Sequence, residues 1–268
     1  HYGDANLLAG LNAALREDGV DTDHPSLEAL APYDQFHGRG LEATIEMAGI
    51  MPAGASDHIL DLGSGIGGPA RYIATRFGCR VTGIDLTPEF CEVARHLTRL
   101  LGLQDQVTFE VGDALALPIA PASLDGAYSM NVSMNIADKL GLYREIHRVL
   151  KPGAWLVLSE LARGDAGEPS YPTPWAESAR TSFLSTPEET QRGLLEAQFD
   201  VVALRSTLQE ALEFGDRSRA AVARGEKPPH RAVMLIHGKN ARQAMENSAR
   251  GLAEGNLIPV EILARKRL

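Results

Sequence analysis

Two cysteines, Cys79 and Cys91, are all that this 268-residue chain contains. They are too few and too far apart for a disulfide framework or a metal site, so no metal is expected and a reduced, cytoplasmic setting is the simpler reading. No apolar run approaches the roughly 20 residues that cross a bilayer, which removes a membrane partner from the expectations. Positive charge is in deficit as well: 26 Lys and Arg against 35 Asp and Glu leave a net charge of −9. A nucleic-acid partner needs a basic face, so that class is set aside. The opening His1-Tyr2-Gly3-Asp4 has neither an initiator Met nor signal-peptide character, and the native N-terminus is expected elsewhere. The 44% hydrophobic content is ordinary and supports a sizeable core. The length suits a single α/β domain with additions.

The rest of the chain is organised around Ile59-Leu60-Asp61-Leu62-Gly63-Ser64-Gly65-Ile66-Gly67-Gly68. A short apolar strand runs into a glycine cluster, and a helical stretch follows from Pro69. Glycines at such a turn adopt backbone angles that a Cβ forbids. They also let a ligand approach the amide N–H groups at a helix start. Gly63, Gly65 and Gly68 satisfy the dinucleotide fingerprint G-x-G-x-x-G. Asp61, two residues ahead of the first glycine, would repel a pyrophosphate and suit an ammonium group. A tight turn with no ligand is the bland alternative, but four glycines in six residues carry a backbone entropy cost that needs a reason.

A second strand, 80–85, ends in Asp85, about 20 positions beyond the glycine loop, where an acid can accept from ribose hydroxyls. Its other use is as a helix cap for 88–101. Thr87 and Pro88 already supply cap and first-turn proline, which leaves Asp85 freer. Gly102 ends that helix. Strand 107–111 leads to Gly112-Asp113-Ala114, where Asp113 alone reads as a turn residue. Strand 123–130 delivers Asn131 and Asn135 to the carboxyl edge of the sheet, where ligands of open α/β sheets sit. Met130 and Met134 could form a soft apolar wall, though core packing is the stronger reading. Helix 138–150 and a fifth strand, 154–160, follow.

Residues 161–187 break the pattern with Pro169, Tyr171, Pro172, Pro174, Trp175 and Phe183, a substrate cover or a packed surface loop. A capped helix at 187–197, a strand at 199–204 and a helix at 208–224 come next. Residues 231–254 read as helical with a break at Gly238, and 256–265 as a final strand. Ahead of the glycine loop, helices at 5–17 and 41–49 bracket Tyr33-Asp34-Gln35-Phe36-His37-Gly38, placed to close over an open-sheet site.

Asp61, Gly63, Gly65 and Gly67 together form the D-x-G-x-G-x-G motif. With the run Arg-Val-Leu-Lys-Pro-Gly-Ala at 148–154, the chain resembles the class I S-adenosylmethionine-dependent methyltransferases. The segments Asp34-Gln35-Phe36-His37 and Pro174-Trp175-Ala176 sharpen the likeness. They look most similar to bacterial small-molecule methyltransferases related to sarcosine and dimethylglycine N-methyltransferases and phosphoethanolamine methyltransferases. The resemblance covers residues 31–204 well. It departs at Ala197-Gln198-Phe199, where that group commonly has glycine before the aromatic.

The resemblance implies a Rossmann-like α/β fold. Its seven-stranded, mostly parallel sheet has helices on both faces and a C-terminal antiparallel strand. Residues 1–50 would be a helical lid and 51–268 the methyltransferase domain. S-adenosylmethionine is the implied cofactor, with S-adenosylhomocysteine as product. The implied cofactor residues are Tyr33, Gln35, His37 and Gly38 from the lid; Asp61, Gly63, Ser64, Gly65 and Gly67; Asp85 with Leu86 at the ribose; Asp113 with Ala114 at the base; and Asn131. The partner is a small-molecule methyl acceptor, with an amine nitrogen the first guess and O- or C-methylation the alternatives. Asn135, Trp175 and Phe183 are candidate acceptor contacts. A hydroxyl acceptor would want a base, for which His37 and His230 are candidates. A homodimer is allowed for.

The competing enzyme is a NAD(P)-dependent oxidoreductase on the same glycine loop. Its Tyr-x-x-x-Lys pair is missing, since Tyr128 is followed by Val132 and Tyr143 by His147. A sensor that binds the adenosyl cofactor without turnover is the non-enzymatic alternative.

Overall fold

A computed structural model describes residues 7–237 and 241–268. The expected break at Gly238 and the first two residues of the expected helix 5–17 lie outside the described residues. Three helices come first: α1 (Leu7–Glu17), α2 (Leu27–Asp34) and α3 (Leu41–Ile50). Then β1 (His58–Leu62), α4 (Gly68–Phe77), β2 (Arg80–Asp85), α5 (Pro88–Leu100) and β3 (Val107–Val111) alternate as parallel crossover units. The chain continues through β4 (Leu124–Met130), α6 (Lys139–Val149), β5 (Leu150–Arg163), α7 (Pro187–Glu196) and β6 (Phe199–Ser206). It closes with α8 (Leu208–Ala223), α9 (Ala232–His237), α10 (Ala241–Glu254) and β7 (Leu257–Lys266).

The seven strands lie in the order β3-β2-β1-β4-β5-β7-β6. The pairs β3·β2, β2·β1, β1·β4 and β4·β5 are parallel, and β7 runs antiparallel to both β5 and β6. Strand order reverses between β1 and β4, and the carboxyl ends of strands at such a switch point flank a crevice. Ile59, Leu60 and Leu62 are fully buried, because β1 is covered on both faces. One face packs on an apolar cluster that includes Leu142, Ile146 and Leu194, from α6 and α7. The other packs on a cluster that includes Met47, Ile73 and Ala94, from α3, α4 and α5.

Strand β5 is longer than the pattern at 154–160 suggested, because β7 pairs with it out to Arg163↔Leu257. The irregular insert therefore begins beyond Arg163. A reciprocal capping box between Thr186 and Glu189 starts α7. Its other end turns on Gln198, whose φ of 66° is the left-handed value that a glycine adopts without strain. The missing family glycine thus affects only a helix end.

Helix α2 is anchored by an ion pair in the interior. Arg71 Nη2 of α4 donates to Asp34 Oδ2 at 2.9 Å, with both side chains almost wholly buried. The guanidinium also donates to Ala94 O and Thr98 Oγ1. Among the described residues no helix is long and apolar enough to cross a membrane.

Candidate functional site

A cavity of about 280 Å³ opens at the carboxyl ends of β1, β2 and β4. Asp61, Gly63, Ser64, Gly65, Asp85, Leu86, Asp113, Ala114, Asn131, Asn135 and His37 all line it. The expected residues from the strand ends are therefore brought together.

Asp61 is 2% exposed, and its Oδ2 has no hydrogen-bond partner among the described residues; Ser64 Oγ is in the same state. Burial pushes the Asp61 carboxyl up to about 7; the Asp85 charge adds to the rise, while the Tyr128 hydroxyl and Arg71 oppose it. A buried acceptor with no donor is a debt that a cationic ligand can discharge.

The glycine loop does something other than present N–H groups to a ligand. Gly63 N and Ser64 N both donate to Ile84 O, at 2.8 and 3.1 Å, and Gly67 N donates to Ser64 O at 2.9 Å. Gly65 N donates to Asp85 Oδ2 at 2.8 Å. Four amides of the loop are thus already satisfied, which leaves a poor cradle for a pyrophosphate. Gly63 is required by contact and by conformation: its φ is 73°, and a Cβ would lie 2.2 Å from Val132 Cγ2. Gly67 lies behind the cavity wall, where a Cβ would lie 2.3 Å from Phe109 Cζ, so its use is packing.

Asp85 is less free than the sequence suggested. The Thr87 side chain forms no cap, and Asp85 Oδ1 accepts from Thr87 N at 2.9 Å. Each carboxylate oxygen retains a further lone pair for a ligand on the cavity side. Burial raises the Asp85 pKa against the pull of these backbone donors. Asp113 is exposed and also forms a turn, accepting from Leu115 N at 2.9 Å. Leu86, 71% exposed, stands at the rim.

Beneath the β4 edge, the buried Glu160 carboxylate accepts from Val132 N, Ser133 N and Ser133 Oγ at 3.0–3.2 Å. That fixes the turn carrying Asn131 and Asn135. Asn131 adopts φ 55°. With its carboxamide turned to the orientation that satisfies both neighbours, its oxygen accepts from Gly38 N at 3.2 Å and its amide donates to Ser159 O at 3.3 Å. This locks the lid segment onto the sheet.

The cover departs from expectation. His37 lines the cavity, but burial pulls its pKa down to about 3. Its Nδ1 lies 3.1 Å from Gly38 O and its Nε2 3.0 Å from Thr44 Oγ1. A neutral, hydrogen-bonded imidazole of that pKa is no general base near neutrality. His230 is outside the cavity lining; its Nε2 donates to Gln35 O at 2.7 Å and burial lowers its pKa. Neither histidine is placed as the expected base.

Tyr33, Gln35 and Gly38 also stand off the cavity. Tyr33 donates to Asp18 Oδ2 at 2.7 Å and lies under the Arg231 guanidinium. Gln35 Oε1 accepts from Thr44 Oγ1 at 2.6 Å. Trp175 packs with Met134, Ala176 and Leu257, where its large ring is better buried. Phe183 contributes only backbone, its N–H donating to Met134 O and its carbonyl accepting from Lys139 Nζ. The rest of the lining includes Phe36, Met130, Ile136, Pro174, Val233 and Ile236. Phe36 belongs to the lid segment, Met130 is the soft apolar wall that the sequence allowed for, and Pro174 lies in the expected cover. Ile136, Val233 and Ile236 were not anticipated; the i, i+3 pair Val233 and Ile236 carried a readable signal, one apolar stripe of a helix.

Residues 60–158 match a family model described as a methyltransferase domain. The chain is 32% identical over 160 residues to an O-methyltransferase of Pyrenophora dematioidea, covering 59% of this chain and 60% of that one. It is 39% identical over 106 residues to a sterol 24-C-methyltransferase of Eremothecium gossypii, covering 40% and 28%. The chain thus spans less than two thirds of these relatives' length. Among solved structures, phosphoethanolamine N-methyltransferase 2 of Haemonchus contortus superposes with a TM-score of 0.72 at 21% identity, over 94% of this chain and 60% of that one. Geranyl diphosphate C-methyltransferase of Streptomyces coelicolor A3(2) gives 0.66 at 21%, over 84% and 76%. Likeness at that identity establishes the fold. Residues 60–158 are thus similar to a methyltransferase domain, and the sheet around them has the fold of these solved structures.

Proposed function

We propose that the cavity binds S-adenosylmethionine and that the protein transfers its methyl group to a small-molecule acceptor. The observation that carries this reading is the buried Asp61 side chain, which lines the cavity with its Oδ2 unpartnered among the described residues, beside a loop with four amides already satisfied. Such a site suits a ligand ammonium and disfavours a pyrophosphate. Asp61 would hold the amino-acid end, Asp85 the ribose, and Asp113 with Ala114 the base.

The chemistry such a cofactor supplies when bound is an activated methyl on a sulfonium. The chain's own share is positioning and exclusion of water. Of the expected lid 1–50, the described residues 7–50 cover the cleft, with Phe36 and His37 in the cavity lining. His37, neutral at physiological pH, serves as a fixed polar contact. Cytoplasmic residence goes with this reading.

Calorimetry with S-adenosylhomocysteine and, separately, with NAD tests it. Binding of the former alone supports the assignment, and binding of NAD alone returns the site to the oxidoreductase reading. Mass spectrometry of acceptor mixtures incubated with S-adenosylmethionine then tests transfer itself.

A further inference from the structure

With the carboxylates at the strand tips given to the cofactor, the rest of the cavity can be read for what it would tolerate. This step rests on the proposed cofactor assignment. The apolar wall of the cavity includes Met130, Ile136, Pro174, Val233 and Ile236. These come from β4, the turn before α6, the insert and α9. Among the described residues lining the cavity there is no lysine and no arginine. The only carboxylates are Asp61, Asp85 and Asp113. The other polar side chains of the lining are all neutral: Ser64, Thr87 and Asn131 at the strand tips, and His37 and Asn135.

We infer that the acceptor is an uncharged, predominantly apolar small molecule, held by apolar contact with this wall and oriented by one or two neutral hydrogen bonds. A carboxylate or phosphate on the acceptor would meet no cation among the described lining residues, and an ammonium would compete with the cofactor for the same three acids. Desolvating an unpaired charge is far costlier than leaving it in water. Small zwitterions and phosphorylated amines, the acceptors that the sequence likeness brought forward, are therefore disfavoured. An apolar wall with few convergent polar groups is the ordinary build of a site for a hydrophobic ligand.

The test is thermal stability of the full chain with saturating S-adenosylhomocysteine, then with added probes. The neutral probes are 1-naphthol, indole and geraniol; the charged ones are sarcosine and phosphoethanolamine. A rise in melting temperature with a neutral probe and none with the charged ones is expected. Ile236→Lys is expected to weaken the neutral probe by roughly tenfold or more, by placing a charge in the wall. Met234→Lys, on the exposed side of the same helix at 59% exposure, should leave it unchanged. Stabilisation by sarcosine or phosphoethanolamine, or by none of the neutral probes, overturns the inference. Failure of S-adenosylhomocysteine itself is a separate result that removes the cofactor assignment. Neutral-probe binding measured in its absence still decides whether the wall takes apolar molecules.

Discussion

The two walls of the cavity are built in opposite ways. One wall is polar and comes from strand ends between Asp61 and Asn131, held in register by parallel neighbours. The other is largely apolar and is assembled from the end of β4, the lid, the turn before α6, the insert and α9, segments distant in sequence. Pieces with a rigid sheet behind them can hold hydrogen-bonding groups in fixed positions. Pieces carried on attachments can be exchanged without disturbing the sheet, which suits the part of a site that selects among partners. On the proposed function, the difference teaches where to look for each property: cofactor choice at the strand tips, acceptor choice in the cover.

The comparison can be broken most forcefully at the anchor of the lid. Asp34→Ala leaves the Arg71 guanidinium buried without its partner, a loss of about 3–5 kcal/mol. Urea denaturation is expected to show a large drop in midpoint, and an unchanged midpoint would mean the lid is not held by this pair.

Next comes Gly63→Val, which forces a left-handed residue against Val132 and costs about 1–2 kcal/mol in backbone conformation alone. Calorimetry should find cofactor-product binding lost while the far-UV circular dichroism is retained. Normal affinity in this variant would remove the glycine loop from the polar wall.

Asp61→Asn is expected to weaken S-adenosylhomocysteine by about 1–3 kcal/mol. It should also erase a pH dependence. The folded carboxyl titrates near 7 against an ordinary 3.8, so the folded state holds its proton more tightly than the unfolded one. The unliganded protein therefore loses stability as pH rises from about 4 to about 7. A bound ammonium group lowers that pKa, so the stabilisation given by ligand grows across the same window and levels off above it. Melting temperatures with and without ligand across this range check the sign, and a flat difference in the wild type would contradict it.

The smallest effect sharpens the contrast. His230→Ala removes one hydrogen bond to Gln35 O, worth about 1 kcal/mol. It should loosen the cover, weakening the binding of 1-naphthol more than that of S-adenosylhomocysteine. Equal losses of both ligands would show the two walls to be coupled.

The polar wall was legible in the sequence because each of its parts is local. A strand, then a glycine or an acid at its tip, is a pattern of a few residues, and Asp61, Asp85 and Asp113 carried it. The apolar wall was not, because its members gain meaning only when α9 comes to rest near α2. Tyr33 was drawn away by Asp18 and Arg231, two contacts set by tertiary packing. Trp175 reads as a cover because it is aromatic, yet burial against Met134 and Leu257 satisfies it better. The length of β5 depended on β7, which lies almost a hundred residues further on. The left-handed Gln198, by contrast, was visible as a missing glycine, and only its confinement to a helix end needed the structure.

The bond from His230 to Gln35 O joins positions 195 residues apart. On a ribosome adding about 5–20 residues per second, those two partners emerge roughly 10–40 s apart. In the later part of that interval, after Asp113 has emerged, a nascent chain has all three strand-tip carboxylates synthesised while the α9 side of the cleft is still missing. Any ligand that binds the polar wall during synthesis favours the half-built sheet by mass action. The cofactor would then be a chaperone of its own binding site before it is a reactant in it.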